Sequence, residues 1–246
     1  MSFAGKRYWL VGASEGLGLA LAQALSREGA EVILSARSAE GLAVACAGVP
    51  RSRSVVVDVA DSASVTRAAQ AVGDIDGLVF LAGVYWPMTA QAVNPEQLEA
   101  MCDINFTGCA RVVAAVLPKM VARGAGHLVI TGSLAGFRGL PGALGYAASK
   151  AGAMALAESL YADLRGSGIK VQLANPGFIR TRLTAKNDFA MPFLMEPEAA
   201  AAAMLHLMQS NRFKANFPAV FSWLFRGGQF LPDGLYYRLF APRKGA

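Results

Sequence analysis

Six short apolar runs rich in β-branched residues, each followed by a helical pattern, constrain the fold of this chain more than any single motif does. They are Tyr8–Gly12, Glu31–Ser35, Ser54–Val57, Gly77–Ala82, Gly126–Ile130 and Lys170–Ala174. Their apolarity is continuous rather than alternating. A strand that is apolar at every position has to be covered on both faces, which a parallel sheet wound by crossover helices achieves. Helical patterns fall between the runs, over Gly18–Glu28, Ser62–Val72, Pro95–Arg123 with an interruption near Gly108, Gly145–Gly166 and Glu198–Ser210. With one more short strand expected after Arg212, the fold class is α/β: a doubly wound parallel sheet of about seven strands with helices on both faces.

A length of 246 residues allows one domain with a sizeable core, without disulfide or metal staples. Although 54% of the residues are hydrophobic, no run of 18 or so uncharged apolar residues occurs, and Lys6 and Arg7 stand directly before the first strand. Neither a signal peptide nor a spanning helix is expected. Cys46, Cys102 and Cys109 are odd in number and lack ligand spacing, which reads as reduced thiols in a cytoplasmic protein. His127 and His206 are too few and too isolated for a metal site, so each reads as structural. The net charge of +6 is concentrated from Arg212 onward, where six basic side chains face the single acid Asp233. The remainder is nearly neutral, and nothing in it reads as a nucleic-acid surface.

The first strand runs straight into Gly12-Ala13-Ser14-Glu15-Gly16-Leu17-Gly18 and then a helix. Glycines at those points permit a tight turn, close backbone approach to a pyrophosphate, and close helix–sheet packing. The helix N-terminus then faces the phosphates. This points to a Rossmann-type dinucleotide site. At the end of the second strand, where an acid would hydrogen-bond the ribose of NAD, the chain reads Ser35-Ala36-Arg37-Ser38. A guanidinium there pairs with a 2′-phosphate, so NADP(H) is the expected cofactor, with Glu15 in the glycine loop as a mild objection.

Tyr146 and Lys150 are four residues apart in Gly145-Tyr-Ala-Ala-Ser-Lys150, one helical turn. A free phenol titrates near pH 10, and a fixed cation nearby is expected to pull it down toward the range where it works as a general acid or base.

With the glycine spacing and this pair, the chain resembles the short-chain dehydrogenase/reductase family over about residues 5–211. Further motifs carry the resemblance in order: Asp58, Leu81-Ala82-Gly83, Asn105 within Asp103-Ile-Asn-Phe-Thr-Gly108, Ser133 after the fifth strand, and Asn175-Pro176-Gly177 with Thr181. By resemblance, Tyr146 is the acid that protonates a carbonyl oxygen, and Lys150 lowers its pKa and hydrogen-bonds the nicotinamide ribose. Ser133 donates to the substrate oxygen where charge develops. Asn105 holds a water beside the lysine. The resemblance also implies that Asp58 meets the adenine, and that Val59, Ala82, Gly83, Pro176, Gly177, Ile179 and Thr181 complete the cofactor site begun by Gly12, Ser14, Glu15, Gly16, Leu17, Gly18, Arg37 and Ser38. Val11 and Leu81 depart from the threonine and asparagine common in the family, which suggests a central sheet held by apolar packing instead.

On the substrate side, Phe189-Ala-Met-Pro-Phe193-Leu-Met195 reads as an apolar lid, with Phe137, Leu140 and Pro141 flanking the tyrosine. A hydrophobic ketone, aldehyde or secondary alcohol fits such a lining. Arg138, Arg180 and Arg182 leave an anionic acyl carrier open. Residues 1–211 are expected to form the dinucleotide-binding and catalytic domain, and residues 212–246 an aromatic, basic extension. That extension has two destinations: packing on the domain or a second subunit, or contact with a membrane surface. The expected function is an NADP(H)-dependent oxidoreductase on an apolar carbonyl or alcohol, assembled as a dimer or tetramer. The rival is a non-catalytic NADP-binding regulatory or membrane-surface protein on the same fold.

Overall fold

In a computed structural model of the chain, residues 2–186 and 190–240 are described. Seven strands form one parallel sheet in the order β3-β2-β1-β4-β5-β6-β7. They are β1 (Arg7–Val11), β2 (Glu31–Ser35), β3 (Ser52–Ser54), β4 (Gly77–Phe80), β5 (Gly126–Thr131), β6 (Ile169–Pro176) and β7 (Lys214–Phe217). The winding reverses between β1 and β4, which lie side by side with Tyr8 opposite Gly77 and Val11 opposite Phe80. Ligands of such sheets bind beyond the strands' carboxyl ends at this reversal.

The helices explain why the strands are apolar throughout. Helices α1 (Gly16–Arg27) and α7 (Pro197–Gln209) cover one face, burying Leu21, Leu25, Met204 and Leu207 against Tyr8, Leu10, Val79 and Val129. On the other face, α3 (Ser62–Val72), α5 (Gly108–Arg123) and α6 (Leu144–Asp163) bury Val65, Val112, Val116, Ala153 and Ala157 against Trp9, Val11, Leu78, Phe80 and Ile130. Strands β1, β2, β4, β5 and β6 therefore send alternate side chains into two separate cores. Val11 and Leu81 belong to this packing: Val11 is buried, and the Leu81 amide donates to the Val11 carbonyl at 2.8 Å.

Two details differ from the sequence reading. The third strand pairs at Ser52–Ser54 rather than Ser54–Val57. The chain leaves regular pairing there, although the amides of Val55 and Val57 still reach the carbonyls of Leu34 and Ala36 at 3.0 Å each. A helix absent from the reading, α2 (Ala39–Ala47), starts at Ser38, whose hydroxyl accepts the Gly41 amide at 3.0 Å. The strand expected after Arg212 is β7, and it completes the sheet from within the basic extension.

The long Pro95–Arg123 helix is α4 (Pro95–Cys102), a π-turn (Asp103–Thr107) and α5, so the interruption falls just before Gly108. By length and apolarity it is the one helix among the described residues able to cross a membrane. Its Cys109, Val112, Val113 and Met120 are instead packed in the core. Beyond β7 the chain forms α8 (Ala219–Gly228) and α9 (Asp233–Phe240).

Candidate active site

The reversal opens a cleft of about 340 Å³ beyond β1 and β4. Gly12 leaves β1 with φ +93, and a β-carbon there would come within 2.5 Å of the Ala82 nitrogen. The glycine loop and the β4 turn therefore touch backbone to backbone, and any side chain at Gly12 would force them apart. Helix α1 starts at Gly16, so its first amides, which lack intrahelical partners, face the cleft. The walls include Gly12, Ser14 to Gly18, Arg37, Ser38, Asp58, Val59, Ala82 and Gly83, then Pro176, Gly177, Ile179 and Thr181 from the opposite side. Every position expected to touch the dinucleotide thus borders one cavity.

The chemistry of this lining suits a dinucleotide. Arg37 is exposed at the end of β2 and has no ion-pair partner among the described residues. Glu15, the objection raised by the sequence, is engaged by Arg182 at 2.5 Å. The buried Thr131 hydroxyl, at the cleft wall, has no hydrogen-bond partner among the described residues, so it is available to a ligand. Asp58 borders the cleft while one of its oxygens accepts the Ala60 amide at 3.0 Å.

Tyr146 and Lys150 project from the first turns of α6 into the same cleft. The Lys150 ammonium lies 5.9 Å from the centre of the Tyr146 ring and donates to the Thr131 carbonyl at 2.9 Å. The expectation that the lysine pulls the tyrosine down is corrected. Burial raises the phenol above its ordinary value, the Ser133 hydroxyl hydrogen-bonded to it opposes that rise, and Tyr85 adds to it. Burial also lowers Lys150 to about 8, so desolvation sets the direction of both shifts.

Ser133 and Asn105 are buried behind the cleft wall. The Ser133 hydroxyl also accepts the Ala135 amide at 3.1 Å, capping a short 3-10 turn at Leu134–Gly136. Asn105 lies in the π-turn and pins the loop after β4: its Oδ1 accepts the Val84 amide at 2.7 Å, and its Nδ2 donates to the Val84 carbonyl at 3.0 Å. The same Nδ2 donates to Ser149 Oγ at 3.0 Å, and Ser149 donates to the Tyr146 carbonyl at 2.9 Å. Both amide N–H donors are therefore used within the protein. The side chain holds the Gly83–Val84 turn against α6.

Arg180 pairs with Glu196 at 2.8 Å, Arg182 with Glu15, and Arg138 with Asp233 of the tail. Phe137 packs into the core beneath α6. Phe189 lies outside the described residues, whereas Phe193 stands 5.5 Å, ring to ring, from Phe221 of α8. The sequence reading missed Tyr85 and Trp86. Tyr85 meets the Tyr146 ring edge-on at 5.0 Å, and Lys186 covers the Trp86 ring at 4.3 Å while donating to the Tyr85 carbonyl at 2.8 Å. Their position directly after Ala82-Gly83-Val84 was the available signal.

His127 is structural, bonded to the Tyr8 hydroxyl and Gln172 at 2.8 Å each, and the three cysteines are free.

A doubly wound sheet with a dinucleotide cleft at its reversal, and a tyrosine and a lysine on the cleft wall, defines an oxidoreductase of the nucleotide-dependent class. The chain belongs to the short chain dehydrogenase family, whose sequence model matches residues 6–191. An uncharacterized oxidoreductase from Myxococcus xanthus is 38% identical over 236 residues, covering 92% of this chain and 93% of that protein. The ketoacyl reductase HetN from Nostoc is 31% identical over 219 residues, covering 84% of this chain and 76% of HetN. A short chain dehydrogenase from Burkholderia cenocepacia, solved in complex with NADP, superposes with a TM-score of 0.87 at 26% identity, covering 98% of this chain and all of that one.

Proposed function

We propose that this protein interconverts an apolar ketone or aldehyde and its alcohol using NADP(H), with Tyr146 as acid and base. One observation carries the reading: the Tyr146 phenol, hydrogen-bonded to Ser133, borders both the dinucleotide cleft and the aromatic wall of Tyr85. A bound reduced nicotinamide supplies the hydride. The protein's part is protonic. With its pKa raised by burial, Tyr146 keeps its proton at neutral pH and donates it to the carbonyl oxygen as charge develops there. The Ser133 hydroxyl hydrogen-bonds the same oxygen and limits that charge. Lys150, at about 8, is mostly ammonium at neutral pH and steadies the phenolate left behind.

The preference for NADP(H) rests on Arg37, a cation without an ion pair among the described residues, at the end of β2 where an NAD-selective site carries an acid. The NADP complex of the Burkholderia relative agrees with it. An apolar substrate is supported by Tyr85, Trp86 and Phe193. The ketoacyl reductase relative acts on a carbonyl, which fits.

The test is NADPH oxidation against carbonyl compounds graded by chain length and ring size. Turnover that rises with apolar size is expected. Arg37→Ala should raise the KM for NADPH by about tenfold or more while leaving NADH within about twofold, since a charge-assisted contact amounts to roughly 1.5–3 kcal/mol. Equal losses for both dinucleotides would remove the 2′-phosphate contact from the account.

A further inference from the structure

We infer that α8 and α9 dock this protein onto an anionic lipid surface. Both helices are apolar on two sides, and only one side is used by the fold. On the inner side, Phe221 packs against Phe178, Phe193 and Phe225 at 5.8, 5.5 and 5.0 Å, ring to ring. Tyr236 is buried, donates its hydroxyl to the Gly139 carbonyl at 3.1 Å, and lies under the Arg138 guanidinium at 4.1 Å. These contacts fix the tail at the substrate end of the cleft, since a β-carbon on Gly177 of the cleft wall would come within 3.2 Å of the Phe221 ring.

On the outer side, Val220, Trp223 and Leu224 fall at the i, i+3, i+4 spacing of one helical stripe, and Leu235 and Leu239 at i, i+4. Trp223 is 66% exposed, Leu239 62%, and Phe230, between the helices, 88%. Helices apolar on opposite sides belong inside a larger core or against lipid, and a soluble monomer rarely keeps so much aromatic and aliphatic surface in contact with water.

Charge selects the occupant. Arg226 lies 4.7 Å from the Trp223 ring, Arg238 follows on α9, and the sequence continues into Arg243 and Lys244. The lone acid of this segment, Asp233, is taken by Arg138. A second copy docking through the same face would set one cationic, uncompensated surface against another. A lipid interface instead accepts the indole at headgroup depth, the Leu and Phe side chains in the acyl boundary, and the guanidiniums beside anionic headgroups. Resting on the reductase reading above, the placement also names a substrate source: a long-chain carbonyl dissolved in the bilayer, entering beside Phe193 and Phe221.

The experiment is co-sedimentation of the full chain with vesicles of phosphatidylcholine alone or mixed with phosphatidylglycerol. Binding to the mixed vesicles that weakens with added salt is expected. Trp223→Glu with Leu224→Glu should cut it by about tenfold or more, because both side chains leave the interface. Val44→Glu, at an exposed apolar position on α2, should leave it unchanged. The double variant should also keep wild-type turnover of a short water-soluble carbonyl and lose turnover of a vesicle-dissolved one. Protein that stays in the supernatant, or a double variant that sediments like wild type, overturns the inference. So does light scattering that shows self-association abolished by the double variant without vesicle binding. Vesicle binding without turnover of any carbonyl upholds the docking and overturns the reductase reading.

Discussion

Lys150→Met should make the protein inactive and more stable. Burial lowers the Lys150 pKa from 10.5 to about 8. At about 1.4 kcal/mol per unit, carrying this charge costs the folded state roughly 3 kcal/mol at neutral pH. The variant also loses the bond to the Thr131 carbonyl, worth about 1 kcal/mol, so the net gain is about 2 kcal/mol. In a chain of this length that raises Tm by about 4 to 8 °C. The pH dependence separates this cause from better packing. Because the folded-state pKa is depressed for a base, the unfolded chain binds more protons between about pH 8 and 10.5, and wild-type stability rises with pH across that window. Cys109, pushed up to about 12 by burial, stays neutral through it. Thermal unfolding without added dinucleotide should therefore show the variant ahead at pH 7 and the gap closing toward pH 10. A variant no more stable than wild type at pH 7, or a gap constant with pH, would refute the reasoning.

Burial lowers His127 from 6.5 to about 4, so stability should fall by about 3 kcal/mol as pH drops through that window, where the unfolded chain binds the extra proton. His127→Gln should flatten the fall; an unchanged slope in its Tm against pH would assign the loss to other groups. Arg138→Ala removes hydrogen bonds to the Gly228 and Leu231 carbonyls at 3.0 and 2.7 Å and the ion pair with Asp233. At about 2 kcal/mol in total, it should speed limited proteolysis within α8 and α9 by about thirtyfold while leaving the sheet folded. Unaltered cleavage would mean that the aromatic contacts alone hold the tail.

What was legible in the sequence follows from where the physics is local. The central strands announce themselves because Trp9, Leu10, Val79 and Val129 must all be apolar to serve two cores. The glycine loop is legible because Gly12 answers a backbone contact that no other residue permits. At the sheet edge the signal fades: β3 pairs through Ser52, Arg53 and Ser54, polar residues that no apolar pattern marks. Helix α2 buries only Leu42 and Ala45 and carries Gly41 in its first turn, so it shows little periodicity. The uses of Arg138, Arg182 and Asn105 depend on partners 95, 167 and 21 residues away, which spacing along the chain does not reveal. The sign of the Tyr146 shift was misread for a related reason. Four residues of helix fix that a lysine is near, but burial, set by the whole domain, decides the direction.

The central claim is that the Tyr146 phenol moves the proton in the reaction. The most direct measurement is single-turnover NADPH oxidation by Tyr146→Phe, alongside NADPH affinity by fluorescence titration. The account predicts a rate at least about a thousandfold lower, the scale of a lost general acid, with NADPH affinity within about threefold of wild type. A variant that retains a tenth or more of the wild-type rate would contradict it.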